Sequence, residues 1–287
     1  MSKKAVCSES AMSRTNSTLT IHQAHELIQR LEKAGSFNSR WAQMIIQNDD
    51  YARRIVSFIQ EGGQQETASQ QQAREIMGER FLGVREVAEH LGIILMTDEL
   101  KRIAAIPFKE ETLQRYKETH LLFLGVNHNP DGHFLTINKL RLMFPRGGNP
   151  QFYLYKEDKG SWFDLQNFAI ITRPQLGWYF IRTDILEDSR SKGFNEQMKL
   201  LQPNEYLENA VLYVYAKILF YLARGITIFK NTWTRCGDLR GKGQKNHTCI
   251  GYYGGPYGLC CNIGIGFGYD SEEGYQMGIA PAIKPDN

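Results

Sequence analysis

Residues 204–225 read NEYLENAVLYVYAKILFYLARG, and the fold turns on this stretch. Leu207, Val211, Leu212, Val214, Tyr215, Ile218, Leu219 and Leu222 recur at helical spacing, which predicts a helix over Asn204–Ala223 stopped by Gly225. The apolar residues cover more than one face, and Lys217 interrupts them. That pattern describes a helix buried in a protein core rather than a membrane anchor, because a span needs roughly 18 or more consecutive apolar residues. A core helix needs a partner layer. The expected architecture is therefore α+β, with the helix packed on a sheet.

Candidate strands flank it on both sides. Upstream, Leu121–Asn127 and His133–Asn138 bracket Asn-Pro-Asp-Gly, with Pro130 suited to the second turn position and Gly132 to the left-handed one, which predicts a β-hairpin. Phe152–Tyr155, Phe168–Thr172 and Trp178–Thr183 read as further strands. Beyond Ile226 the chain reads as strands and loops. The N-terminal part has a different character. Residues 1–18 are Ser/Thr-rich without periodicity and read as a disordered tail. Helical patterns follow over Thr20–Ala34, Ser39–Gln60 and Glu66–Phe81, then a helical pair over 83–106 and a helix over Glu110–Thr119. The expected division is a tail at 1–18, a helical region at 19–105 and a mixed α+β domain at 106–287.

Composition excludes several classes. The 287 residues carry 34 basic and 31 acidic side chains, a net charge of +3, too balanced for a nucleic-acid coat or an acidic tail. The start, MSKKAVCSES, has no apolar stretch behind its lysines, so no signal peptide is expected. With no membrane span either, a cytoplasmic location is expected. The helical pair at 83–106 has the outline of a helix-turn-helix, and Lys230, Arg235, Arg240, Lys242 and Lys245 form a small basic loop at 230–245. Together they make nucleic-acid binding the alternative function. However, the second helix of the pair opens with Asp98 and Glu99, which would oppose phosphate.

No catalytic motif stands out. The chain lacks a nucleophile elbow, a phosphate-cradling Gly-Lys-Ser/Thr loop and a dinucleotide fingerprint, and GIGFG (264–268) has no helix after it. No catalytic residues and no cofactor are assigned. Cys236, Cys249, Cys260 and Cys261 lie within 26 residues, near His247, but without the C-x-x-C spacing of a zinc site. His128, Asp131 and His133 flank the hairpin turn. Neither group is assigned a metal; buried thiols and solvated turn histidines are the expected states.

The C-terminus is the unusual part. Between Gly251 and Gly278 lie 9 of the chain's 26 glycines and 5 of its 14 tyrosines. Tyrosine supplies large, stiff contact area, and Gly, Ser and Asn supply adaptable backbone, a mixture typical of paratopes. The expected ligand-binding residues are Tyr252, Tyr253, Tyr257, Asn262, Phe267, Tyr269 and Asp270, within a variable region at 246–275. Their partner would be a protein or a small ligand. The competing expectation is that the same aromatics form the core of a Gly-rich sheet.

Several stretches carry a resemblance: AAIPFKEETLQRYKETHLLFLGV, GWYFIRTDILEDSRSKGFNEQMKLLQPNEYLENAVLYVYAKILFYLARG, TRCGD at Thr234–Asp238, YGL at Tyr257–Leu259 and the terminal MGIAPAIKP. Covering most of residues 79–284, they resemble a family of uncharacterised proteins of candidate-phylum, Patescibacteria-type bacteria. The C-terminal block is similar to the variable proteins diversified by retroelements. That resemblance implies a C-type-lectin-like fold, a changeable binding surface, and scaffold roles for Gly251, Gly258 and Leu259. Retroelement mutagenesis turns AAY codons into NNY codons, which never encode Lys, Glu, Gln, Met or Trp. Those five types make up 66 of the 287 residues, yet none occurs between Asn246 and Ser271, where about 6 are expected at the chain-wide frequency.

Overall fold

The computed structural model describes residues 20–34, 39–49, 52–53, 55–56, 66–152, 162–239, 246–251, 262–269 and 277–286. The chain divides into two compact units, 1–56 and 57–287. The smaller unit contains helices α1 (Ile21–Ala34) and α2 (Ser39–Gln47), and Arg30 pairs with Glu26 one turn before it on α1.

The larger unit is built around α10 (Ala210–Arg224), the helix expected from the 204–225 stretch. It is buried along its length from Ala210 to Phe220, which accounts for its lack of a polar face. Gly225 ends it in the left-handed conformation, φ 70°, and donates its N–H to the Tyr221 carbonyl. Its start differs from expectation. Glu205–Tyr206 forms a short strand, β5, and the helix begins only at Ala210, where the Asp238 carboxylate accepts the Ala210 N–H. Lys217 is fully buried and donates its ammonium to the Ile228 carbonyl.

Two five-stranded sheets pack against α10, where the sequence reading expected one. The first has the order β1-β2-β4-β10-β5, with β1 at Phe81–Leu82, β2 at His120–Gly125, β4 at Gly177–Arg182 and β10 at Ala282–Ile283. β2 and β4 pair antiparallel from His120↔Arg182 to Gly125↔Gly177. The second has the order β3-β8-β7-β6-β9: β3 is Gln151–Phe152, β6 Trp233–Leu239, β7 Asn246–Gly251, β8 Asn262–Tyr269 and β9 Met277–Ile279. β6, β7 and β8 are antiparallel neighbours, whereas β9 runs parallel to β6 and β3 parallel to β8. The Tyr215 hydroxyl donates to the Leu124 carbonyl of β2, and Tyr213 donates to Ala280 between β9 and β10, so α10 is bonded toward both sheets.

Three local expectations are corrected. The Asn129–Gly132 turn forms with Gly132 at φ 79°, and Asn129 accepts the His133 N–H through its side chain. Its two arms, however, meet in a single antiparallel bridge, His128↔Phe134. The second arm does not continue as a strand, because Thr136 accepts the Lys139 N–H and starts helix α7 (Ile137–Met143). Residues 168–170 are helical rather than extended, within α8 (Asn167–Ile170), and Ile171 and Thr172 follow it without forming a strand. The division expected at residue 105 also runs through one core. Helices α3 (Ala68–Met77) and α4 (Val84–Leu91) bury Met77 and Val87, and Ile103, just after α5 (Thr97–Arg102), is buried with them, in the same cluster as β2, β4 and α10. Polar bonds fasten them there. Gln70 and Trp178, from α3 and β4, both donate to the Ile103 carbonyl. On α4, Glu86 accepts from Arg74 and from Arg224 at the end of α10.

Candidate functional site

The TRCGD stretch lies within β6, and each of its residues has a framework task. Thr234 accepts the Ala280 N–H. Arg235 is fully buried and donates to the Gln197 side-chain carbonyl at 2.5 Å. Gln197, in helix α9 (Phe194–Met198), donates to Ser189, whose hydroxyl accepts from Ile279 of β9. Cys236 is buried in the core cluster, Gly237 donates to the Glu208 carbonyl, and Asp238 caps α10. Arg235 therefore belongs to the interior, not to the basic loop in which the sequence reading grouped it. Of that group, Lys230 is exposed, and Arg240, Lys242 and Lys245 lie outside the described residues.

Two acids, buried Glu208 and half-buried Asp238, meet at the N-terminus of α10. Burial raises the Glu208 carboxyl above the ordinary carboxylate range, against the opposing hydrogen bonds from the Tyr206 hydroxyl and the Asn209 N–H. Asp238 is raised by burial too, and its bond from Ala210 and the nearby His247 act the other way. Burial likewise lifts Tyr206, Tyr213 and the Cys236 thiol. In this cluster burial favours the protonated form of each of these groups. Its polar atoms are engaged with backbone and with one another, so it reads as a support for the helix end rather than a reaction centre.

The same sheet has a glycine-lined face. Gly251 and Gly264 are partners across β7 and β8, with Gly266 two residues further along β8. The Trp233 indole lies over all three: a Cβ added to Gly251, Gly264 or Gly266 would fall 2.5, 2.7 or 3.1 Å from its ring atoms. Glycine is required here by close approach, not by backbone conformation. On the other side of β8, Ile263 is buried in the core, and Trp162 donates its indole N–H to the Ile265 carbonyl.

Of the seven expected ligand-binding residues, Tyr252, Tyr253, Tyr257 and Asp270 lie outside the described residues, and for Asn262, Phe267 and Tyr269 the strand backbone alone is described. The strand ends still set an arrangement. Segment 252–261 joins Gly251 to Asn262, whereas Asp270 follows Tyr269 at the opposite end of the eight-residue β8. At about 3.3 Å per residue, Asn262 and Tyr269 are roughly 23 Å apart.

Other candidates take their places around this frame. Cys236 and Cys249 are buried, and Cys260 and Cys261 lie outside the described residues. His128 donates through Nδ1 to the Asn127 side-chain oxygen at 2.9 Å, and no group of three metal-binding side chains occurs among the described residues. A pocket of about 540 Å³ opens between α3, the end of β4 and the segment after α10, with Arg80, Lys117, Glu118, Asp184 and Lys230 among its lining residues. Cations and carboxylates alternate around it, so its charge selects no ligand class. Near that end of the first sheet, His120 is fully buried between Tyr116 and Phe180, and burial, with Arg182 and Arg80 nearby, holds its pKa down to about 3. No helix among the described residues is long and apolar enough to cross a membrane. Trp233, Glu208 and Asp238 escaped the sequence reading, because their roles depend on strand register and on contacts across the chain. No family model, curated protein or solved structure matches this chain.

Proposed function

We propose that this chain is a recognition protein whose main contact element is the segment 252–261, YYGGPYGLCC, carried on the second sheet as on a C-type-lectin-like frame. One observation carries the reading. The strands on either side of the segment, β7 and β8, are held by a continuous ladder from Asn246↔Tyr269 to Gly251↔Gly264, and the Trp233 indole seals their glycine face. A segment rich in tyrosine and glycine, set between two fixed strand ends, is the combination that binding loops on rigid scaffolds use. Tyr252, Tyr253 and Tyr257 are the aromatic anchors in this reading, and Asn262 contributes at the strand edge. Phe267, Tyr269 and Asp270 belong to the far end of β8 and form a second, separate contact. The partner class is a protein or small ligand.

Site-specific photo-crosslinking tests this. A photoreactive phenylalanine analogue at Tyr253 or Tyr257, in cells that make the protein, should trap a discrete adduct. The same analogue at exposed Glu111 on α6 (Glu110–Tyr116) should not. Identical adduct patterns at the three positions, or none at Tyr253 and Tyr257, would remove the proposal.

A further inference from the structure

Among the described residues of the larger unit, exposed large apolar side chains are concentrated in one belt. Ile94 and Met96 are 68% and 72% exposed in the extended link between α4 and α5, where Ile93 and Leu95 alternate inward. That link runs beside the 128–134 turn: a Cβ on Gly92 would touch Pro130, and Glu99 lies 3.9 Å from His128. Phe134 leaves the turn exposed, with the Arg173 guanidinium 3.5 Å from its ring centre. Leu142 on α7 is 72% exposed and Leu165 before α8 is 87% exposed. α7 packs on α8, and Asn138 and Arg141 of α7 both bond to Asp164. Ile170 and Ile171, at the end of α8, complete the belt.

The belt's size and charge decide what covers it. Seven side chains of this kind at these exposures present on the order of 800 Å², one partner's share of a standard protein–protein interface and more than the few hundred Å² a monomer usually leaves in one patch. Three ion pairs within the protomer edge it, Lys101–Asp98, Lys139–Asp131 and Arg141–Asp164, and Arg173 adds one cation seated on the Phe134 ring. Nucleic acid or an anionic membrane needs a surface of one sign, which this is not. A two-fold contact brings each patch against its own copy, so a patch of net charge would repel itself, whereas an apolar belt edged by internally paired charges would not.

We infer that the chain forms a symmetric dimer through this belt, with a second copy of itself as the partner. Sedimentation equilibrium of the full chain, from about 1 to 100 µM, should show a monomer–dimer equilibrium that persists in 0.5 M NaCl, as expected for an apolar contact. Leu142→Glu and Leu165→Glu should each weaken it at least tenfold while leaving the circular dichroism unchanged, and the melting temperature unchanged at concentrations where the parent is monomeric, since both side chains face solvent in the protomer. Ile226→Glu, at an exposed aliphatic residue outside the belt, should leave the dimer intact. A monomer across the range would overturn the inference. So would a dimer indifferent to both belt substitutions, or one equally weakened by Ile226→Glu.

Discussion

If Trp233 is what requires glycine at 264, the cost of a methyl group there must depend on the indole. The added Cβ of Gly264→Ala would lie 2.7 Å from the end of the indole and 3.4 Å from two further ring atoms, so its three nearest neighbours all belong to Trp233. Toward β7 the ring is also packed close to the backbone, since a Cβ built on Gly251 would fall 2.5 Å from it. Overpacking of this kind costs about 1–3 kcal/mol. Trp233→Ala alone removes a half-buried indole and should cost about 3 kcal/mol, the low end for deleting a large aromatic. In that background the three nearest contacts are gone, and Gly264→Ala should stabilise the strand by about 0.5–1 kcal/mol, the usual advantage of alanine over glycine. The double-mutant cycle should therefore show a favourable coupling of about 1.5–4 kcal/mol. Urea unfolding of the four proteins, followed by far-ultraviolet circular dichroism, supplies the free energies without relying on tryptophan emission. If Gly264→Ala costs the same with and without Trp233, to within about 0.5 kcal/mol, the indole does not dictate the glycine face and the frame argument fails.

Three further outcomes follow from the buried charges. His120, held at about pKa 3 instead of 6.5, stays neutral in the fold while the unfolded chain takes up a proton, so stability drops as pH falls from 6.5 toward 3; thermal melts at pH 7 and pH 5 should show this loss shrinking in His120→Leu. Burial alone would raise Glu86, but hydrogen bonds and charge from Arg74 outweigh it and hold the carboxyl at about 2, so its contribution is full above pH 4.5 and lost toward pH 2; at pH 7, Glu86→Ala strips Arg74 and Arg224 of this partner and should cost about 3 kcal/mol in denaturant titrations. Glu208 has the opposite sign, since a raised carboxyl loses stability as pH climbs above 4.5; Glu208→Gln should melt higher than the parent at pH 8 and gain nothing at pH 4.

What could be read from the sequence was local. The central helix is recognisable because an all-round apolar pattern needs no partner to be identified, and Gly225 and Gly132 occupy the left-handed positions their neighbours call for. β4 is legible at Gly177–Arg182 through its β-branched and aromatic residues. Misreadings arose where a distant contact overrides a local pattern. Phe168, Ala169 and Ile170 look extended as letters, but they form one helical turn bonded back to Gln166 and Asn167. The N-terminal helices look self-sufficient until Trp178, far along the chain, is seen bonded to Ile103 and stacked near Phe81. For the candidate site, the glycines and tyrosines announced themselves by composition. The tryptophan that explains three of those glycines did not, because pairing Gly251 with Gly264 requires a register that one sequence does not carry.

The recognition reading requires that 252–261 be carried by the frame and not be needed to build it. The direct measurement is to randomise codons 252–261 with NNY mixtures in the full chain, display the library, and determine the fraction that still unfolds cooperatively. Most members should keep a transition close to the parent's, and selection on an unrelated target should enrich binders that differ only within the segment. If most members lose the transition, those ten residues are part of the core, and the chain does not display them for recognition.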